Sequence, residues 1–164
     1  MTVSLLLRPA IPTDRDAIWS ILEPVIRVGE TYTLDRAMER EAALAYWLGP
    51  DRSTFVAEEA GEILGTYYLR ANQAGGGAHV CNCGYMTAAR AAGRGVARAM
   101  AAHSFDAARA AGFRAMQFNF VVSSNDRAVR LWQSLGFETV GRLPGAFDHP
   151  RLGEVDALVM FRRL

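Results

Sequence analysis

Two glycines one residue apart, Gly93 and Gly95, end a strand-like run and open a helix-like run, and that junction constrains the architecture more than any other feature of the chain. The preceding run, His79 to Thr87, reads as a strand. Beyond the glycines, Val96, Ala97, Met100, Ala101, Phe105 and Ala108 recur at the spacing of a helix with one buried face, predicted over Val96 to Ala111. An apolar strand, Ala115 to Val122, follows. A strand, a helical crossover and a second strand make parallel neighbours in one sheet. The glycine turn then sits at a helix N-terminus, whose first amides lack internal partners and share the positive end of the helix dipole. A phosphate or pyrophosphate is the natural occupant of such a place. A glycine pair before a helix also serves as a plain turn, so this junction alone leaves both readings open.

The remaining elements fill in a mixed sheet. Val3 to Arg8 reads as a first strand, and Thr13 or Asp14 can cap a helix whose apolar positions Ala17, Ile18, Ile21 and Leu22 stop near Pro24. A second helix is expected from about Met38 to Leu48, ending at Gly49-Pro50, and the segment between the two helices is a candidate lid. Thr54 to Glu59 and Ile63 to Arg70 flank Ala60-Gly61-Glu62 as a hairpin. The chain closes with a helix from Asn125 to Leu135 and strands at Glu138 to Arg142 and Val155 to Arg162, separated by a loop from Leu143 to Gly153. The expected class is α/β (or α+β): a mostly antiparallel central sheet with one parallel pair, flanked by helices.

A length of 164 residues is that of one domain, residues 1–164. With 18 basic and 17 acidic residues the net charge is +1, which lacks the basic footprint of a nucleic-acid binder. Every basic residue is Arg, a compositional habit that says nothing about substrate. Neither a signal-like segment nor a run long enough to span a membrane is present, so a cytoplasmic protein is expected. Cys81 and Cys83, two apart on one strand, are expected to be free thiols.

Two segments in this order resemble the GCN5-related N-acetyltransferase (GNAT) superfamily. Ala92-Gly93-Arg94-Gly95-Val96-Ala97 is similar to that family's acetyl-CoA pyrophosphate loop, [Q/R]-x-x-G-x-[G/A], with Ala92 standing where Gln or Arg is usual. The loop binds through backbone amides, so Ala92 removes no donor. A second register, beginning at Arg90, also satisfies the letters; the Ala92 register places the helix start after Gly95. The run Asn125 to Phe137 resembles N-x-x-A-x-x-[LF]-Y-x-x-x-G-F, in which Asn125 caps a helix and turns its amide to the cofactor, Leu131 and Leu135 face the core, and Gly136 supplies a left-handed cap. The resemblance implies a sheet that splays between the strands of His79 and Ala115, with acetyl-CoA as co-substrate. Tyr85, Met86, Thr87, Ala92, Gly93, Arg94, Gly95, Val96, Ala97 and Asn125 would bind it, and an amide near Tyr85 to Thr87 would polarise the thioester carbonyl.

Trp132 is the informative departure, because the family commonly has a tyrosine there that protonates the departing thiolate. Indole has no proton to give at neutral pH. It can donate to the sulfur or pack beside the pantetheine arm, or it can be ordinary core.

Asn82 and Asn119 lie inside apolar runs, and a buried amide without partners costs about 1 to 3 kcal/mol. Each therefore needs a partner, whether ligand or strand backbone. Together with Tyr85 and Asn125 they resemble the fungal and bacterial subgroup of azetidine-2-carboxylate acetyltransferases, which implies that Asn82 and Asn119 hold a small amino-acid-like acceptor. Asn82, Asn119 and Trp132 are thus the expected catalytic set, with Glu30 and Tyr32 reaching the acceptor from the lid. No general base announces itself; His79 and His149 are candidates by chemistry alone. His79, Cys81 and Cys83 alternate on one strand, yet without a second ligand pair no metal site is expected. The resemblance implies an N-acetyltransferase for a primary or secondary amine, with a homodimer as the default assembly. The rival is a non-catalytic acyl-CoA-binding or interaction module on the same fold.

Overall fold

The computed structural model describes residues 4–164. Its seven strands form one sheet in the order β1-β2-β3-β4-β5-β7-β6. They are β1 (Leu6–Pro9), β2 (Ser53–Glu59), β3 (Glu62–Ala71), β4 (Val80–Thr87), β5 (Ala115–Val122), β6 (Glu138–His149) and β7 (Gly153–Arg163). The helices are α1 (Arg15–Val28), α2 (Arg40–Trp47), α3 (Val96–Ala110) and α4 (Asp126–Ser134). All strand pairs are antiparallel except β4 with β5, the pair that the crossover helix α3 joins. The mixed sheet with one parallel pair is therefore as the sequence order implies.

Strand alternation sorts the helices onto two faces. On β3, the side chain of Tyr67 meets His103 of α3, whereas that of its neighbour Tyr68 stacks edge-on against Trp47 of α2. The α3 face closes tightly at Gly65, where a Cβ would stand 2.9 Å from Met100 and Val96. On the α2 face, Gly84 leaves room for the Tyr68 ring, which a Cβ would meet at 2.6 Å.

Two boundaries and one cap differ from expectation, each for a local reason. Pro24 does not end α1; the helix continues to Val28 and closes on Gly29 at φ 67°, because Ile26 beyond the proline is buried and extends the apolar stripe. Asp14 does not cap α1 through its side chain. Its carboxylate instead accepts two bonds from Arg8, at 2.8 and 3.0 Å, and one from the Ile11 amide at 2.8 Å. Most of the expected loop 143–153 is strand: β6 runs on to His149, with the surplus residues between Leu143 and Phe147 taken up by a bulge. Buried Phe147 and His149 hold the far end of that strand down. Val3, part of the expected first strand, lies outside the described residues.

The Asp14 cluster yields a stability prediction. The hydrogen bond from Arg8 is the chief reason the Asp14 carboxyl is held below its usual range. A carboxyl whose folded pKa is depressed contributes stability above its unfolded pKa and loses it as pH falls through the folded value. Asp14→Asn should cost about 2 to 3 kcal/mol in urea unfolding at pH 7 and flatten the stability-pH curve below about pH 4. An unchanged acid limb would show the cluster to be inert.

Candidate active site

The Gly93–Gly95 turn is an open anion nest. Both glycines have positive φ, 78° and 79°, a region that favours glycine, and both are exposed. That bend turns successive amides outward. Among the described residues, the N–H groups of Gly93, Gly95, Val96, Ala97 and Arg98 find no acceptor within the protein. Arg94 pairs with Glu59 and Arg90 donates to the Ile63 carbonyl at 3.0 Å, so the loop arginines lean onto the β2–β3 hairpin and leave the nest clear. A groove of about 600 Å³ runs from this nest along α4, lined by Asn125, Leu131 and Trp132. Arg98, Arg127 and Arg130 also line it and add positive charge to its wall. Sequence reasoning missed these three; the one available signal was the i, i+3 spacing of Arg127 and Arg130 on a helix whose register was already fixed.

Asn125 acts as expected of a cap. Its Oδ1 accepts from the Ala128 amide at 3.3 Å, while the residue lines the groove. At the other end of α4, Gly136 takes φ 86° and Phe137 N–H closes on Trp132 O at 3.0 Å. Leu131 and Leu135 are only half-buried, since the α4 face that carries Leu131 borders the groove.

Beyond the nest the sheet opens. Strands β4 and β5 pair only at Val80–Ala115 and Cys81–Met116. At the next position the ladder is replaced by a side chain: Asn82 Nδ2 donates to Gln117 O at 2.9 Å. Asn82 thus closes the root of the splay, the backbone-mending role that its burial demanded. Further along β4, the hydroxyl of Tyr32 accepts from Tyr85 N–H at 2.9 Å and donates to Tyr85 O at 2.8 Å, bridging main-chain groups that a continuous β5 would have satisfied. Burial pushes the Tyr32 phenol well above its ordinary pKa, which keeps it protonated. Tyr85 N–H is consequently taken, and strand alternation turns the Thr87 amide the same way, into the opening. Thr87 lines both this opening and the groove from the nest.

A second cavity, about 420 Å³, occupies the opening on the α2 face. It shares Tyr85, Thr87, Asn125, Ala128 and Trp132 with the groove, so the two spaces meet at these residues. Trp132 is 8 % exposed at that junction, with ring centroids 4.8 Å from Phe118 and 5.0 Å from Tyr85. It is at once core and wall. The Tyr85 phenol points instead to the α3 face, bonded to Ser104 Oγ at 2.7 Å and pushed up by burial, so it cannot stand in as an acid at the junction.

Asn82 and Asn119 both border this cavity, as does Tyr32. Asn119 is exposed, contrary to the expectation of a buried amide: β5 bulges between Phe118 and Val121. Its Nδ2 donates to Asn72 Oδ1 at 2.7 Å and its Oδ1 accepts from Gln117 Nε2 at 2.9 Å. Glu30 is not brought to the cavity; Arg151 holds it at 2.7 Å, linking the α1–α2 segment to the β6–β7 turn. Neither candidate histidine reaches it either. His79 is exposed on the loop before β4, and His149 Nδ1 accepts from the amides of Arg151 and Leu152. Cys81 and Cys83 are buried free thiols, and burial pushes the Cys83 thiol up.

Residues 16–137 match the model of the Acetyltransferase (GNAT) family. The chain belongs to that family. A GCN5-related N-acetyltransferase from Kribbella flavida is similar over 98 % of both chains, with a TM-score of 0.93 and 44 % identity. YncA of Salmonella typhimurium, a putative acetyltransferase solved with its cofactor acetyl-CoA, has the same fold: TM-score 0.85 at 22 % identity, over 98 % of this chain and 94 % of that one. N-acetyltransferase aca1 of Schizosaccharomyces pombe is 27 % identical over 137 residues, 74 % of this chain. The chain spans 66 % of that relative's length. Among the described residues, no helix is long and apolar enough to cross a membrane.

Proposed function

We propose that this GNAT domain is an acetyl-CoA-dependent N-acetyltransferase whose acceptor is a small primary or secondary amine, with amino and imino acids the acceptor class that Asn82 and Asn119 favour. The observation that carries the reading is the set of five unengaged amides at the α3 N-terminus, opening into a groove that meets a second cavity at Thr87 and Trp132. The nest suits a diphosphate, and the shared wall suits a thioester.

The chemistry follows from where each group stands. A neutral amine in the second cavity attacks the thioester carbonyl, forming the C–N bond as the C–S bond breaks. The Thr87 N–H stabilises the oxygen as it gains charge, the usual work of a fixed main-chain donor. The thiolate departs as an anion, since Trp132 can donate a hydrogen bond but not a proton. The proton shed by the amine reaches the sulfur through water, giving the amide and free CoA. Holding both reactants in joined cavities supplies the orientation.

Release of free thiol from acetyl-CoA, followed with amino acids, imino acids, polyamines and peptides, tests the reading. Turnover with at least one amine is expected. Tight acetyl-CoA binding with no turnover across the panel would leave the binding-module alternative. Trp132→Tyr should keep the wild-type rate within about threefold, because a thiolate needs little help to leave. A collapse of turnover would show that the indole itself is required.

A further inference from the structure

Arg70, near the C-terminal end of β3, is the sole charged side chain among the described residues that line the acceptor cavity. It is poorly satisfied. Its Nε is buried without a partner, and its contact with a protein acid is Nη1 to Asp51 at 3.4 Å. Asp51 also faces Arg52, at 3.3 Å, so one carboxylate serves two guanidinium groups and leaves a positive charge beside the cavity. Arg52 cannot turn away to water; its side chain is 7 % exposed and lies 4.2 Å and 4.4 Å from the ring centroids of Tyr46 and Tyr68. Those two rings form part of the cavity wall.

Register places Arg70 directly opposite Asn82, so both project from the α2 face within a few ångströms of one another. Asn119 borders the cavity from β5. A guanidinium with open donors, next to two neutral amides and with no acidic side chain in the wall, is an incomplete site for an oxyanion. The same charge disfavours a bare ammonium, such as a polyamine would bring, and favours the neutral form of an attacking amine.

We propose that Arg70 is a specificity-determining residue of the acceptor site, its guanidinium reading the acid group of an amino-acid-like acceptor beside Asn82 and Asn119. This rests on the transferase reading above and its amino-acid acceptor class, and adds the residue that selects for the acid group. A carboxylate and a phosphonate share the required chemistry.

The test compares small L-amino and imino acids with their methyl esters, with aminophosphonates and with diamines, by thiol release under saturating acetyl-CoA. The wild type should favour acids over matched esters at least tenfold in kcat/KM, and the better of the carboxylate and phosphonate arms names the source. Arg70→Ala should lower kcat/KM for the acid about 30-fold or more, mainly through KM, and leave the ester and the acetyl-CoA KM within about threefold. Arg70→Lys should restore part of the loss. Arg70→Gln, similar in length but uncharged, carries the test should the alanine variant not fold. Equal preference for esters or diamines, or equal loss on acid and ester in the variants, overturns the role of Arg70 while the transferase stands. No turnover with any amine overturns both.

Discussion

Gly95→Glu should weaken acetyl-CoA binding at least about 1000-fold. Gly95 sits at the N-cap of α3 with φ 79°, and a Cβ there would meet no atom within 4 Å, so a new side chain projects into the open groove and not into the fold. The strain of a non-glycine residue at that φ is about 1 kcal/mol, too little to unfold the domain. The carboxylate is the damaging part. It stands among the free amides, competes for them without any cost in translational entropy, and repels a diphosphate. At 4 Å and an effective dielectric near 20, one such pair of charges is worth about 4 kcal/mol. Gly95→Ala isolates the strain and should lose less than about tenfold. Calorimetry with acetyl-CoA and with CoA reads both variants. Unchanged affinity in Gly95→Glu would mean that the nest does not hold the cofactor.

The glycine turn and the helix ends beside it were legible because they are local. A turn that needs positive φ selects glycine, a helix start needs a cap, and a helix end before a buried aromatic needs Gly136; each demand falls on the residue that meets it. The parallel pair and its crossover followed from element order, which few topologies satisfy. Asn125 could be read as a cap and a groove residue together because both roles follow from one position in the chain.

The acceptor side was legible only in part, because its geometry comes from segments far apart in sequence. Asn82 and Gln117 meet across 35 positions, and Tyr32 reaches Tyr85 across 53. Asparagine in an apolar run correctly signalled a need for partners, but it did not separate a clamp from an exposed rim. Asn119 is that rim, since a bulge in β5 turns its stretch outward. Glu30 looked able to reach the acceptor until Arg151, 121 residues later, folded against it. Arg70 drew no notice because an arginine at a strand end is ordinary; its unfilled donors appear only once the cavity has walls.

Trp47→Ala should destabilise the domain by about 3 to 5 kcal/mol and raise the acceptor KM in whatever fraction remains folded. Trp47 is fully buried and is among the largest such side chains in the core. Its indole N–H donates to Thr66 Oγ1 at 3.0 Å, and its ring stands edge-on to Tyr68 at 4.8 Å and to Tyr32 at 6.1 Å. Removing it therefore opens a cavity behind both tyrosines that line the acceptor site, and frees the residue whose hydroxyl bridges the open edge of β4. Trp47→Phe keeps most of the ring volume and leaves Thr66 bonded to the Phe55 carbonyl at 2.9 Å, so it should cost only about 1 to 2 kcal/mol. Acetyl-CoA affinity should stay within about threefold in either variant, because the nest lies at the start of α3 on the opposite face of the sheet. Urea unfolding separates the stability loss from the kinetic one. A normal acceptor KM in folded Trp47→Ala would show that Tyr32 holds its place without the indole, and that the wall of the acceptor cavity is set by β4 alone.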